Sequence, residues 1–259
     1  MLKIEKFVTA SPEQWEIIIE GARNPMNSWD RMDSYFGESP MDTFEAGCYN
    51  KSCDDCAHQG AETCLPEYTT FGVPIIGPND HQLLENLAKG GPVHGKYKRQ
   101  IPVWVMINAP LYWWKEMDQY KVGTTTNSCS TMHKIHAKEF TLEDFSCEKL
   151  YDDDTGPQII CDYCEMYSSI DPMDFLRLNI DMLNHYRGLY LLSKNKKDWD
   201  QMIQMLPSSY NQKRLWTGNY EVLTGIYRDR RNHKLDEWHV FCDWIRELPY
   251  SELITGEEE

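Results

Sequence analysis

The apolar run Ile101-Pro102-Val103-Trp104-Val105-Met106-Ile107 passes through Asn108-Ala109-Pro110 into Leu111-Tyr112-Trp113-Trp114-Lys115-Glu116-Met117 without a polar spacer. Its first part is short, bounded by proline and rich in β-branched residues, as a buried strand requires. Pro110 has no N–H to donate to a sheet and a φ suited to the start of a helix, so the chain must change element there. A dozen residues of helical period follow through Tyr120-Lys121, and Gly123 closes them. The next stretch offers Thr124, Thr125, Thr126, Asn127, Ser128, Ser130 and Thr131. It reads as a loop with more hydrogen-bonding side chains than a connection needs, suited either to a polar ligand or to satisfying its own backbone.

Other segments supply both strands and helices. Leu2 to Val8 alternates as a strand, and Ser11-Pro12-Glu13 opens a helix whose inner stripe is Trp15, Ile18, Ile19 and Ala22, ending at Asn24-Pro25. Asn79-Asp80 is placed to cap a helix through Leu83, Leu84 and Leu87 that Gly90 stops. From Asp171-Pro172 a long amphipathic helix carries Met173, Leu176, Ile180, Leu183, Tyr190 and Leu191 near one face. A further helix runs from Lys196 to Leu206-Pro207, a strand spans Lys213 to Asn219, and a helix follows from Tyr220 to Arg230. Asn232 is placed to cap the last helix, which carries Leu235, Trp238, Phe241 and Ile245. Strands interspersed with helices and no regular repeat define a mixed α+β or α/β chain.

At 259 residues the chain can bury a full core, and a single domain is expected. A formal charge of −15 repels a phosphate backbone and excludes a broad nucleic-acid surface, while leaving room for a free nucleotide in a local pocket. No apolar run is long enough to span a bilayer and no export pattern opens the chain, so a cytoplasmic protein with no membrane partner is expected. Cys48, Cys53, Cys56 and Cys64, spaced C-x4-C-x2-C-x7-C, lie in the least regular stretch, at about residues 43–77. Four soft ligands at that density suit a tetrahedral zinc ion, with reduced thiols as the alternative. Asp152-Asp153-Asp154 reads as a solvated acidic run.

Two blocks of the chain resemble the flavin-dependent thymidylate synthases. In the first, the Ala-Pro, aromatic helix and hydroxyl stretch are similar to that family's signature segment, in which an Arg-His-Arg triplet is followed, seven residues on, by serine. Gln119, Tyr120 and Lys121 stand on the triplet, with Ser128 and Ser130 flanking the serine position at Cys129. His94 falls on a family histidine before the strand. In the second block, Leu206-Pro207, Trp216-Thr217-Gly218-Asn219, Arg230, His233 and Trp238 follow the family's landmarks in order and nearly in spacing. The two phosphate-binding arginines are not matched. One position is Ile203, and none of the registers supplies the other; Gly225 stands where the family has a flavin-side asparagine.

The resemblance implies an α+β fold with a central sheet and flanking helices, one thymidylate synthase-like domain over residues 1–259 with the Cys-rich stretch as an insert. It implies FAD as cofactor, with NADPH and methylenetetrahydrofolate as co-substrates, and one-carbon transfer to C5 of a pyrimidine nucleotide, dUMP or a relative. The alternative is a catalytically silent homologue that keeps the fold for nucleotide binding or assembly. Arg230 would lie beside the pyrimidine and stabilise charge developing on it, with Ser128 and Ser130 on the substrate. His94, Tyr120, Lys121, Asn219 and His233 would face the flavin. Lys98, Arg99, Lys213 and Arg214 are the cations available to replace the missing phosphate ligands. A homotetramer with sites at subunit contacts is the implied assembly.

Overall fold

The computed structural model describes residues 1–36, 74–153, 156–160 and 167–256. In chain order these form β1 (Lys3–Thr9), α1 (Pro12–Arg23), α2 (Pro78–Lys89), β2 (Pro102–Pro110), α3 (Leu111–Met117), β3 (Thr125–Ser128), β4 (Gln158–Ile160) and β5 (Tyr167–Ser169). There follow α4 (Pro172–Ser193), α5 (Lys196–Met205), β6 (Asn211–Asn219), α6 (Tyr220–Arg230), α7 (Asp236–Arg246) and α8 (Glu252–Thr255). One sheet has the order β1-β2-β6-β3, and β4 pairs antiparallel with β5. Cys48, Cys53, Cys56 and Cys64 lie outside the described residues. No described helix is long and apolar enough to cross a membrane.

The chain divides into two compact units, each drawn from separated segments. One comprises Met1–Lys3, Ile107–Gln119 and Asn127–Arg214; the other comprises Ile4–Met106, Tyr120–Thr126 and Leu215–Glu259.

In the second of these, Ser11 caps α1 with a capping box, its hydroxyl accepting from the Gln14 backbone while the Gln14 side chain accepts from the Ser11 N–H. Trp15 and Ile19 are sealed from solvent, and Tyr220 and Tyr250 meet the Trp15 ring edge-on at centroid distances of 6.0 and 5.7 Å. Leu84, Tyr97, Leu223, Trp238 and Phe241 continue this core.

The start of α2 differs from expectation. Its cap position is Gly77, and Asn79 and Asp80 lie inside the first turn. Their N–H groups donate to the carboxylate of Asp33, 2.9 and 3.0 Å away, so the helix is capped by a side chain from another segment. Those hydrogen bonds outweigh the cost of burial and hold the Asp33 carboxyl below the ordinary range. Asp80 is instead a buried anion: Arg23 Nε donates to it at 2.6 Å, and the Asp33 and Ser34 N–H groups donate at 3.0 and 2.9 Å. Next to this network Tyr35 and Ile75 exchange two backbone hydrogen bonds, of 2.8 and 3.0 Å.

The other unit is built on α4 and α5. Asp171 caps α4 through the Asp174 N–H, as its Asp-Pro start predicts. Leu176, Ile180 and Leu183 enter a cluster with Phe140, Phe145 and Met202. Tyr190 is packed against it, whereas Leu191, expected on the same face, is exposed. Leu191 falls one residue beyond the buried register, about 100° round the helix.

Two boundaries also move. The helix after Pro110 ends at Met117, short of the triplet position, and the expected hydroxyl loop contains β3. Consecutive threonines favour extended backbone, and all four β3 side chains are exposed on a strand at the sheet edge. α7 begins at Asp236 behind Leu235, without a side-chain cap and without Asn232.

Replacing Asp80 with alanine strands the Arg23 guanidinium in the interior, and the expected loss is about 3–5 kcal/mol of stability. Urea unfolding should show this as a lower midpoint with an unchanged slope, whereas Glu13→Ala, at the exposed start of α1, should leave the midpoint nearly where it was.

Candidate functional site

Arg230 is the last residue of α6, a helix that starts directly at the end of β6. Asn219 fixes that start, its Oδ1 accepting from the Val222 N–H at 3.0 Å. The Tyr120–Thr126 segment lies against this cap. Gly123 has φ +76°, and a Cβ there would stand 3.2 Å from Asn219 Nδ2 and 3.3 Å from Val222 Cγ2, so glycine suits both the left-handed backbone and the close approach. Thr124 Oγ1 donates to the Tyr120 carbonyl at 2.5 Å and tightens the same turn.

Tyr120 and Arg230, 110 positions apart in the chain, meet here. Arg230 Nε donates to Tyr120 Oη at 2.9 Å, and its guanidinium carbon stands 4.8 Å from the Trp238 ring centroid. Trp238 is sealed from solvent, and its ring meets Tyr120 and His233 edge-on, each at 6.3 Å. A half-buried cation held by a phenol and an indole face is a directed charge rather than a surface one. Of its neighbours, Arg228 is exposed and paired with Asp229, and Arg231 lies over the Tyr227 ring. The His233 ring is set by its own turn, where Nδ1 accepts from the Leu235 N–H at 3.2 Å, leaving the ring proton on Nε2.

Lys121 and His94 are exposed in this same unit, His94 just ahead of the short helical turn Gly95–Gln100. An open cavity of about 390 Å³ beside α7 is lined by Arg231, His233, His239 and Arg246 among others. Cys242 also borders it, and burial pushes its thiol up to about 11.

Ser128 and Ser130 belong to the other unit. Ser128 ends β3 and is exposed. Ser130 Oγ accepts from the His133 and Met132 N–H groups at 2.8 and 3.3 Å, a local turn of the kind hydroxyl residues make with their own backbone. Cys129 is an exposed free thiol whose N–H donates to the Lys213 carbonyl. Ile203, where the resemblance expects an arginine, packs against the α4–α5 core.

Among the cations available as replacements, Lys98 and Arg214 are committed within the chain. Lys98 is buried, donates to Thr224 Oγ1 at 3.1 Å and pairs with Glu221 at 3.5 Å; burial lowers its pKa against the opposing pull of Glu221. Arg214 stacks 4.3 Å over the Trp114 ring and bonds Asp118 and Gln212 at 2.8 and 2.9 Å. Asp152, Asp171 and Asp174 converge near α4, where Arg177 bonds Asp152 and Asp174. Sequence reasoning named Trp238 as a landmark but not as the face that holds Arg230. An aromatic at helical spacing reads as core, and the clue lay in its proximity to His233.

The fold is ThyX-like, similar in architecture to solved flavin-dependent thymidylate synthases. Thymidylate synthase X from Helicobacter pylori, solved with FAD and dUMP, matches over 98% of this chain and 97% of its own, at TM-score 0.56 and 12% identity. A second structure of the H. pylori protein with FAD and dUMP matches over 98% of both chains at TM-score 0.53 and 13% identity. The UMP/dUMP methylase PolB from Streptomyces cacaoi, bound with 5-Br dUMP, matches over 99% of this chain and 94% of its own, at TM-score 0.51 and 14% identity. By sequence, no family model and no curated protein matches the chain.

Tyr120→Phe removes one hydrogen bond from Arg230 without changing the ring, and should lower stability by about 0.5–1.5 kcal/mol in chemical unfolding. Iodoacetamide at pH 8 should modify Cys129 in the native protein. Cys242, shielded and titrating near 11, should react only after unfolding, as peptide mass spectrometry would register.

Proposed function

We propose that the chain is a flavin-dependent enzyme that transfers a one-carbon unit to a pyrimidine nucleotide, dUMP or a close relative. The observation that carries this reading is the directed guanidinium of Arg230, held by Tyr120 and Trp238 on a ThyX-like fold. FAD-bound and pyrimidine-bound neighbours of the same architecture support it.

The residues present suit a flavin in their chemistry. The close approach at Gly123 brings the backbone after Lys121 onto the Asn219 amide, and Lys121 and His94 offer exposed donors to a pyrophosphate. His233 and Asn219 complete the cofactor side, with Tyr120 where the resembled family has histidine. Bound flavin would supply the electrons of the methyl transfer, drawn from NADPH, with methylenetetrahydrofolate as one-carbon donor.

Arg230 binds the pyrimidine edge and stabilises negative charge that develops on the ring, an electrostatic contribution on the order of a few kcal/mol in a dry site. Tyr120 and Trp238 fix the direction of that charge before substrate arrives. Ser128 and Ser130 contact the nucleotide from the substrate segment. The working protein is proposed as a single thymidylate synthase-like domain assembled into a homotetramer. Free thiols at Cys129, Cys147 and Cys242 support a reducing, cytoplasmic setting. Zinc on Cys48, Cys53, Cys56 and Cys64 is proposed on their spacing alone.

One observation favours a second reading. Lys98 and Arg214 are engaged in intrachain contacts, and Ile203 is packed into a core, which weakens the expected grip on a nucleotide phosphate. A catalytically silent homologue that binds nucleotide or serves assembly would tolerate this.

Purified protein loaded with FAD should show flavin absorbance near one per chain, and should convert dUMP to dTMP when given methylenetetrahydrofolate and NADPH. Arg230→Ala should cut turnover by about 100- to 1000-fold with flavin still bound. Flavin uptake without turnover on dUMP or UMP would support the silent reading, and full activity in Arg230→Ala would remove this residue from the mechanism.

A further inference from the structure

α7 buries Trp238, Phe241 and Ile245 in the core, and His239, Cys242, Asp243 and Arg246, at the spacing of one helix face, line the open cavity beside it. The rest of the wall is the exit of α6, Arg231 to His233. Two of these side chains are guanidinium groups, two are imidazoles and one, Asp243, is a carboxylate. In a chain with 41 acidic and 26 basic residues, a wall of that balance runs against the composition. A single tyrosine sets both arginines. Tyr227 is sealed from solvent; its carbonyl accepts from the Arg231 N–H and its Oη from Arg246 Nε, each at 3.0 Å. The two guanidinium carbons stand 5.8 and 5.3 Å from the centroid of its ring. Like charges gathered on one ring repel each other. Asp243 bonds Arg246 Nη1 at 2.6 Å but is 65% exposed, so water screens what it offsets. An anion seated against both guanidiniums relieves that repulsion.

We propose that this cavity seats the phosphate group of a small phosphorylated molecule, through Arg231, Arg246 and His239, apart from the place that Arg230 addresses. A phosphomonoester suits the wall better than a carboxylate. Its second ionisation, at about 6, makes it a dianion near neutral pH, and its three terminal oxygens can take two guanidiniums and an imidazole N–H together. The cavity, of about 390 Å³, falls within the range of small-molecule sites, roughly 300–1,000 Å³, and leaves room for the body of the ligand. Arg230 is held over Trp238, whereas Arg231, one residue on, lies over Tyr227. Among the described residues the wall includes neither Arg230 nor Trp238. None of Arg231, His239 and Arg246 is a position that the family resemblance uses, so the inference holds whether or not the chain transfers a one-carbon unit. His233 is shared with the proposed flavin side, and the experiment separates the two.

Isothermal titration calorimetry on the full chain, at fixed ionic strength, compares inorganic phosphate, ribose 5-phosphate and acetate. Both phosphates should bind one per chain, ribose 5-phosphate the more tightly, and acetate should bind far more weakly. Arg231→Gln and Arg246→Gln should each weaken the phosphates by about 10- to 100-fold with an unchanged circular dichroism spectrum. Arg228→Gln, at an exposed neighbour, should leave both affinities as they were. No saturable binding, or affinities that survive Arg231→Gln and Arg246→Gln, would overturn the proposal. Binding of inorganic phosphate alone would overturn it in favour of a free-anion site, and acetate binding as tightly as phosphate in favour of a carboxylate site. Loss of phosphate binding once the chain is loaded with FAD would overturn it in favour of the cofactor's own pyrophosphate.

Discussion

Where α6 begins decides where its last side chain ends up. Asn219 accepts from the Val222 N–H and sets the first turn, and the eleven residues that follow carry Arg230 to the far end of the helix. With 100° per residue, starting the helix one position earlier would swing the guanidinium a quarter turn away from the Tyr120 phenol and the Trp238 face. The same asparagine is the surface against which Gly123 packs, so the segment carrying Tyr120 is referenced to the same point. One capping side chain thus sets both halves of the arginine's surroundings, and the site inherits its precision from a helix start rather than from a loop.

Several cationic groups in this chain are spent on structure. Arg23 neutralises buried Asp80, Lys98 serves Thr224 and Glu221, Arg214 lies on Trp114 between Asp118 and Gln212, and Arg177 gathers two aspartates. In a protein with 41 acidic and 26 basic residues, each such commitment reduces what remains for an anionic ligand. Arg230 donates to the Tyr120 hydroxyl and lies over the Trp238 face.

Features with a local cause were legible in the residues. Ser11-Pro12, Asp171-Pro172, Pro110 and Asn219 each announce an element boundary within a few positions, and the structure has boundaries at all four. The mixture of strands and helices followed from the same local patterns, and the choice of α+β from the resemblance. What the sequence hid was tertiary. The cap of α2 comes from Asp33, more than forty positions upstream, so Asn79-Asp80 was the only candidate in view. The threonines of β3 read as a loop because polarity masks their extended preference when a strand lies at an edge. Lys98 and Arg214 looked like spare cations, since no spacing rule tells that Thr224 or Trp114 will reach them first.

The two backbone bonds between Tyr35 and Ile75 have a further consequence. The chain leaves for the cysteine-rich stretch and comes back at adjacent points, with Ser34 Oγ accepting from the Gly77 N–H just inside that gateway. The entropy of closing a loop between two such posts grows by only about 0.6 kcal/mol for each doubling of its length. Asp33 on the near side of that gateway caps α2 on the far side, so the start of the helix is set by residues at the gateway itself.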